Sequence, residues 1–293
     1  MTERAADSDR WVTIFEVGAR DGLQNEKVLI PTADKIALVN LLSESGLRKI
    51  EAASFVSPKW VPQMADSAEV MAGIRRGAGV TYAALTPNVQ GYQRAKAAGV
   101  DEVAVFASAS EGFSQHNINC SIAESIERFT ELMALAKRDG MPVRGYVSCV
   151  VACPYDGVTE PAAVAGVVRQ LLDAGCYEVS LGDTIGAGDP DSIAVMLDAV
   201  LQVADADKLA GHYHDTGEKA LANIRVSLEK GIRTFDSAVG GLGGCPYAPG
   251  AKGNVSSNAV VVMLHELGYE TGIDEVKLAV ASRFVEELKT RLE

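Results

Sequence analysis

The chain has 293 residues with 27 basic against 39 acidic, a formal charge of −12, and 47% hydrophobic residues. This balance fits a soluble globular protein with a large core and excludes collagen-like or disordered chains. No apolar run approaches the ~18 residues that span a bilayer, and a net negative field argues against nucleic acid and anionic membranes as partners. The acidic opening MTERAADSDRW predicts no signal or transit peptide. Five cysteines, at 120, 149, 153, 176 and 245, form no CxxC pair and fit reduced thiols of a cytoplasmic protein. Four are expected in or near the core; Cys245 is the candidate exception.

In chain order, eight β-rich runs recur: Trp11–Val17, Leu47–Ala53, Val80–Leu85, Val100–Ala107, Val143–Val150, Cys176–Gly182, Lys208–His214 and Ile232–Val239. Helical periodicity lies between them. Ser121–Arg138 opens with Ser121-x-x-Glu124, a capping-box pattern, and places Ile122, Ile126, Phe129, Leu132, Met133 and Ala136 on one stripe. In Pro161–Gly175 the residues Val164, Val167, Val168, Leu171 and Leu172 share a face, Pro161 suits the first turn and Gly175 the exit. AAGVDEV (97–103) and DAGCYEV (173–179) each end a helix with Gly and enter a strand.

At ~150 residues per domain the length allows two domains, whereas single α/β barrels reach roughly 250 residues. Eightfold strand–helix alternation without a Pro/Gly/Ser-rich linker predicts an α/β fold, a single (β/α)8 TIM barrel with additional C-terminal helices. Residues 1–293 then form one catalytic domain, with a barrel core at about 11–267, helical stretches at Asn254–Leu267 and Asp274–Glu293, and the C-terminal helix at about 274–293. An open, doubly wound sheet lacks its fingerprint: Pro246 stands where G-x-G-x-x-G needs glycine, and Ala251 follows Gly250 where a Walker motif needs lysine.

Barrel active sites are built at the C-terminal ends of the strands, and the polar residues collect there. Strand one leads into Glu16 and Arg20-Asp21-Gly22-Leu23-Gln24, strand two ends in Glu51-Ala52-Ala53-Ser54, strand six in Asp183, and strand seven in His212-Tyr213-His214-Asp215. Residues i and i+2 of a strand point to one face, so His212 and His214 would converge as metal ligands; two hydrogen-bonded histidines are the alternative. Asp21 offers a carboxylate and Asn254 a carbonyl oxygen, a mixed O/N set that suits Mg²⁺, Mn²⁺ or Zn²⁺. Arg20 reads either as an exposed ion pair or as a guanidinium that stabilises an oxyanion while Asp21 turns to the metal. Glu51 would orient it or form an ordinary rim salt bridge. The stretch 240–254 has six glycines in fifteen residues, either a flexible connection or a lid or ligand cradle carrying Cys245 as an acid/base thiol. Cys149 and Cys153 match no metal spacing and are assigned to packing.

The segments FEVGARDGLQNEK, ASFVSPKWVPQMAD, LTPN, NINCSIAES, VRGYVSCVVACPYDG, EVSLGDTIGAGDP, GHYHDTGEKALAN and GGLGGCPYAPGAKGN resemble the 3-hydroxy-3-methylglutaryl-CoA lyases over residues 11 to 272. Arg-Asp-Gly-x-Gln and His-x-His are shared with a wider superfamily that includes condensing synthases; the GGLGGCPYAPGAKGN and SFVSPKWVPQM segments are more specific to the lyases. The resemblance implies an enzyme that cleaves 3-hydroxy-3-methylglutaryl-CoA to acetyl-CoA and acetoacetate, chemistry of leucine degradation and ketone-body formation. It implies Asp21, His212, His214 and Asn254 as ligands of Mg²⁺ or Mn²⁺, and Arg20 at the enolate with Gln24 and Glu51 in support. Asp183 and Cys245 would serve proton transfer or loop closure, Asp21 or His212 would take the hydroxyl proton, and Ser54 and Lys27 would lie near the acyl-CoA. A homodimer is also implied. Tyr213 and Gly217 depart from the animal pattern and point to a bacterial-type member, and with no cysteine after Cys245 the intersubunit disulfide of animal members cannot form. Against the −12 charge the CoA phosphates need a local basic patch, for which Lys27, Lys59 and Lys252 are candidates. A lyase for another 3-hydroxyacyl-CoA, a synthase joining acetyl-CoA to a 2-oxo acid, and a silent ligand-binding barrel are the alternatives; the last has no need of Arg20, Asp21, both histidines, Cys245 and Asn254 together.

Overall fold

The computed structural model describes residues 10–245 and 248–292, with the side chains of 244–252 and of Leu292 outside that description. Each β-rich run forms one strand: β1 (Thr13–Glu16), β2 (Lys49–Ser54), β3 (Thr81–Leu85), β4 (Glu102–Ser108), β5 (Val143–Ser148), β6 (Glu178–Asp183), β7 (Leu209–Tyr213) and β8 (Thr234–Ser237). All pair in parallel with their sequence neighbours, and β8 pairs with β1 to close the barrel, which leaves no sheet edge to protect. Among the described residues no helix is long and apolar enough to cross a membrane.

Side chains alternate along each strand. Ile14, Ile50, Tyr82, Val103, Val105, Val147, Leu181 and Phe235 join the core shared with the surrounding helices. Phe15, Val17 and Ala83, and Leu85, Ala104 and Tyr146, form separate clusters inside the barrel. Charged residues share this interior. Arg144 is completely buried, donates from Nε to Glu178 Oε1 at 2.7 Å, and grips Asp236 with both terminal nitrogens at 3.1 and 2.7 Å. At the N-terminal end of the barrel Lys49 pairs with Glu102, which also accepts from the Tyr177 hydroxyl.

Ten helices are described: α1 (Thr32–Glu44), α2 (Ser67–Gly73), α3 (Val89–Ala97), α4 (Glu111–Ile118), α5 (Ile122–Asp139), α6 (Pro161–Ala174), α7 (Pro190–Val200), α8 (Ala220–Glu229), α9 (Ser257–Glu266) and α10 (Glu275–Leu292). The Ser121–Glu124 capping box forms at the start of α5, and Pro161 begins α6. Gly99 and Gly175 take the left-handed conformation expected of helix exits, with φ of 74° and 110°. A second box, Asp189 with Ser192 around Pro190, opens α7; the GDPDS segment carries the signal for it.

Two features depart from the sequence reading. The helix expected from Asn254 begins at Ser257, because 253–255 runs extended beside 213–215: Asp215 N donates to Gly253 O, and Val255 N to Tyr213 O. Within the glycine-rich stretch, Gly244–Cys245 pairs antiparallel with Ala248–Lys252. At its base Gly240, Gly241 and Gly243 have positive φ, and α10 packs against this turn and against α1.

Candidate active site

After Glu16 the chain enters a π-helical turn, Gly18–Gly22, in which the amides of Arg20, Asp21 and Gly22 all donate to Val17 O. Only glycine fits at its start: a Cβ at Gly18 would sit 2.5 Å from Glu16 Oε1 and 3.1 Å from Val239 N. Glu16 is not a loop residue but the fully buried end of β1. Its Oε1 accepts from Gly18 N (2.8 Å) and Val239 N (2.9 Å), and its Oε2 from the Ser257 hydroxyl. Burial outweighs these bonds and pushes its pKa up to about 7.

The turn delivers Arg20 and Asp21 into the C-terminal mouth of the barrel. Arg20 is buried rather than exposed; its Nε donates to Glu51 Oε2 at 2.6 Å and its Nη1 to Asp21 Oδ1 at 2.5 Å. The two adjacent side chains thus pair, as opposite charges removed from water do, while Asp21 also reaches the two histidines. Burial works against the guanidinium, yet Glu51 and Asp21 outweigh it and hold Arg20 charged. Burial in turn raises the Glu51 pKa against the pull of Arg20. Tyr146, which sequence reasoning did not single out, donates its hydroxyl to Glu51 Oε2 at 3.2 Å.

Asp21, His212 and His214 converge: one ligand atom from each lies within 4.8 Å of the others, the one such grouping of three among the described residues. Burial would raise the Asp21 pKa, but Arg20, His212 and a hydrogen bond from Asn254 bring it down to about 2. Burial, reinforced by the charge of His212, lowers His214 to about 4. His212 moves the other way: burial opposes its charge, and Asp236 more than compensates. Asn254 Nδ2 donates to Asp21 Oδ2 at 2.8 Å, while its backbone bridges to His214. An open carboxylate–imidazole–amide set of this kind matches a hard or borderline divalent cation.

Six buried side-chain polar atoms in the described residues lack a hydrogen-bond partner, and four of them are His214 Nδ1, Glu51 Oε1, Gln24 Oε1 and Ser54 Oγ. Buried polar atoms are normally satisfied; two of these belong to His214, which clusters with Asp21, and Glu51, which pairs with Arg20, where a bound ligand would complete the bonding. Asp183 is buried and turned to its own loop, accepting from Ala187 N at 3.1 Å and Gly188 N at 2.8 Å; burial raises its pKa. Lys27 and Lys59 are exposed on the surface. The side chains of Cys245 and Lys252 lie outside the described residues. The other four cysteines are buried and free, and burial pushes the Cys149 and Cys176 thiols up to about 12, the inert state of a packed thiol.

Sequence reasoning placed Glu16 in the loop after the first strand and missed Arg144, Tyr146 and Asp236. Their signal was a charged or hydroxylated residue inside an apolar β run, as in TIFEV, VRGYV and TFDSA.

The HMGL-like family model matches residues 11–285. The chain is 59% identical, over 90% of its own length and 88% of the relative's, to the 3-hydroxy-3-isohexenylglutaryl-CoA/hydroxy-methylglutaryl-CoA lyase of Pseudomonas aeruginosa. Its structure is similar to the HMG-CoA lyase of Brucella melitensis, with a TM-score of 0.95 and 65% identity over 96% of this chain and 99% of that one. It is also similar to an HMG-CoA lyase of Acinetobacter baumannii in complex with coenzyme A and 3-methylmalate, with a TM-score of 0.91 and 37% identity over 96% and 92% of the two chains.

Proposed function

The chain belongs to the HMGL-like family, and from that premise we propose that it cleaves 3-hydroxy-3-methylglutaryl-CoA to acetyl-CoA and acetoacetate with Mg²⁺ or Mn²⁺ bound. The observation that carries this reading is the Asp21–His212–His214 cluster beside an arginine braced by Glu51.

Asp21, His212, His214 and Asn254 would hold the cation, Asn254 by turning its amide oxygen inward. When bound there, a divalent cation would lower the pKa of the substrate's tertiary hydroxyl. Asp21 takes the hydroxyl proton, the C2–C3 bond breaks, and its electron pair passes to the thioester as an enolate. Arg20 stabilises the enolate oxygen, where a fixed, desolvated guanidinium is most effective. Glu51 and Tyr146 keep Arg20 in place. Protonation of the enolate carbon gives acetyl-CoA, with Cys245 our first candidate for the acid and Asp183 for closing the neighbouring loop. Gln24 and Ser54 offer polar atoms to the acyl portion, and Lys27 one positive charge to the CoA. We assign the barrel and its C-terminal helix to one catalytic domain acting as a cytoplasmic homodimer.

The test is to incubate the purified protein with the substrate and Mg²⁺ or Mn²⁺ and follow acetoacetate. Absence of product with metal present sinks the reading; consumption of acetyl-CoA with a 2-oxo acid would favour a synthase. A second reading follows from the Pseudomonas aeruginosa relative, whose name includes an isohexenylglutaryl-CoA activity. On that reading this chain also accepts a longer 3-hydroxyacyl-CoA, and comparing kcat/KM for the two substrates decides.

A further inference from the structure

Asp236 and His212 face each other across the ladder of β8 and β7. His212 Nδ1 lies 3.1 Å from Asp236 Oδ2, the oxygen that also accepts from Ser180 Oγ at 2.7 Å. Arg144 grips the same carboxylate from the other side and continues to Glu178. Asp236, Ser180 and Arg144 are all buried, so none of these contacts is shared with solvent.

We propose that Asp236 is a positioning residue that holds His212 as its Nδ1–H tautomer, with Arg144 and Ser180 fixing the carboxylate so that Nε2 is the nitrogen presented beside Asp21 and His214. An ionised carboxylate has only acceptors, so the ring nitrogen facing it must carry the hydrogen. Arg144, a permanent cation, sets its two terminal nitrogens on the two Asp236 oxygens, the bidentate pairing of an ionised carboxylate. Arg144 holds both oxygens of the carboxylate and Ser180 one of them, which opposes its rotation. A metal-ligating histidine gains both orientation and basicity from such a partner. The role in metal binding rests on the function proposed above; the tautomer does not.

The experiment uses the full chain labelled with ¹⁵N-histidine. In protein stripped by a chelator at pH 9, long-range ¹H–¹⁵N spectra should show His212 protonated on Nδ1 and bare on Nε2. A wild-type Nε2–H tautomer overturns the proposal, and this holds even where a variant fails to fold. Asp236→Ala should mix the tautomers and weaken Mn²⁺ binding, read by electron paramagnetic resonance titration, about 10–100-fold. Unchanged tautomer and affinity would overturn it. Glu178→Gln disturbs the same buried cluster without touching His212 and should keep the tautomer and stay within about twofold in affinity; a loss equal to that of Asp236→Ala would show a general packing effect instead and overturn it. If wild type binds no Mn²⁺, the metal reading fails while the tautomer result still decides the role of Asp236.

Discussion

Two buried residues, Arg20 and Glu16, act on the same turn in different ways. Arg20 meets Glu51 and Asp21 directly, so Arg20→Gln should cut turnover at least about 10²-fold, the scale of a lost oxyanion donor, while Mn²⁺ affinity changes by only a few-fold. Kinetics and a metal titration on one preparation check this; comparable loss of metal would show that the division of roles is wrong. Glu16 reaches no substrate but ties the Arg20–Asp21 turn to Val239 and Ser257. Its folded pKa of about 7 lies above the unfolded value of about 4.3. The folded state thus holds this proton more tightly, a stabilisation present below about pH 4 and lost as the pH rises through 7. Glu16→Gln lacks the titration. Denaturant unfolding from pH 4 to pH 8 should show wild type losing about 3.5 kcal/mol relative to the variant, the gap between about 4.3 and about 7 at 1.36 kcal/mol per pH unit. Parallel stability curves would contradict the buried, proton-binding Glu16.

The π-helical turn and the glycine turn at the base of the ribbon meet at close quarters. Besides the contacts of Gly18, a Cβ on Gly22 would lie 2.6 Å from Leu242 Cβ. Gly18→Ala should therefore cost about 1–3 kcal/mol by overpacking and weaken metal binding as Asp21 shifts; equilibrium unfolding with a Mn²⁺ titration reads both. Much of this was legible in the sequence. Runs such as VRGYVS and EVSLGD announce strands by composition, and helix stripes and caps such as Ser121-x-x-Glu124 follow from local geometry. The convergence of His212 and His214 was legible because residues two apart in a strand point to one face. Arg144 and Asp236 were not, since alternation does not say which face of a strand lines the barrel and which meets the helices. The burial of the Arg20–Asp21 pair was hidden because it depends on chain segments 30 or more residues away. The ribbon after Gly243 was hidden because glycine-rich sequence carries no periodicity.

For the molecule as a whole, any ligand bound only by the folded state raises its stability. Mn²⁺ at 100 times its Kd should add about 2.7 kcal/mol and raise Tm by several degrees in a calorimetric scan. His214→Ala should abolish that rise, and an undiminished rise would remove His214 from the ligand set. Asp21 and Asn254 are 233 residues apart in sequence, yet they follow β1 and β8, the two strands whose pairing closes the barrel. A cation held between them would act as a clasp on this seam. Its ligands come together only when the first and last strands have met, so the site belongs to the final stage of folding, after the costly long-range closure. A metal bound there should slow unfolding while leaving the refolding rate nearly unchanged, because an interaction absent from the transition state acts on the unfolding limb alone.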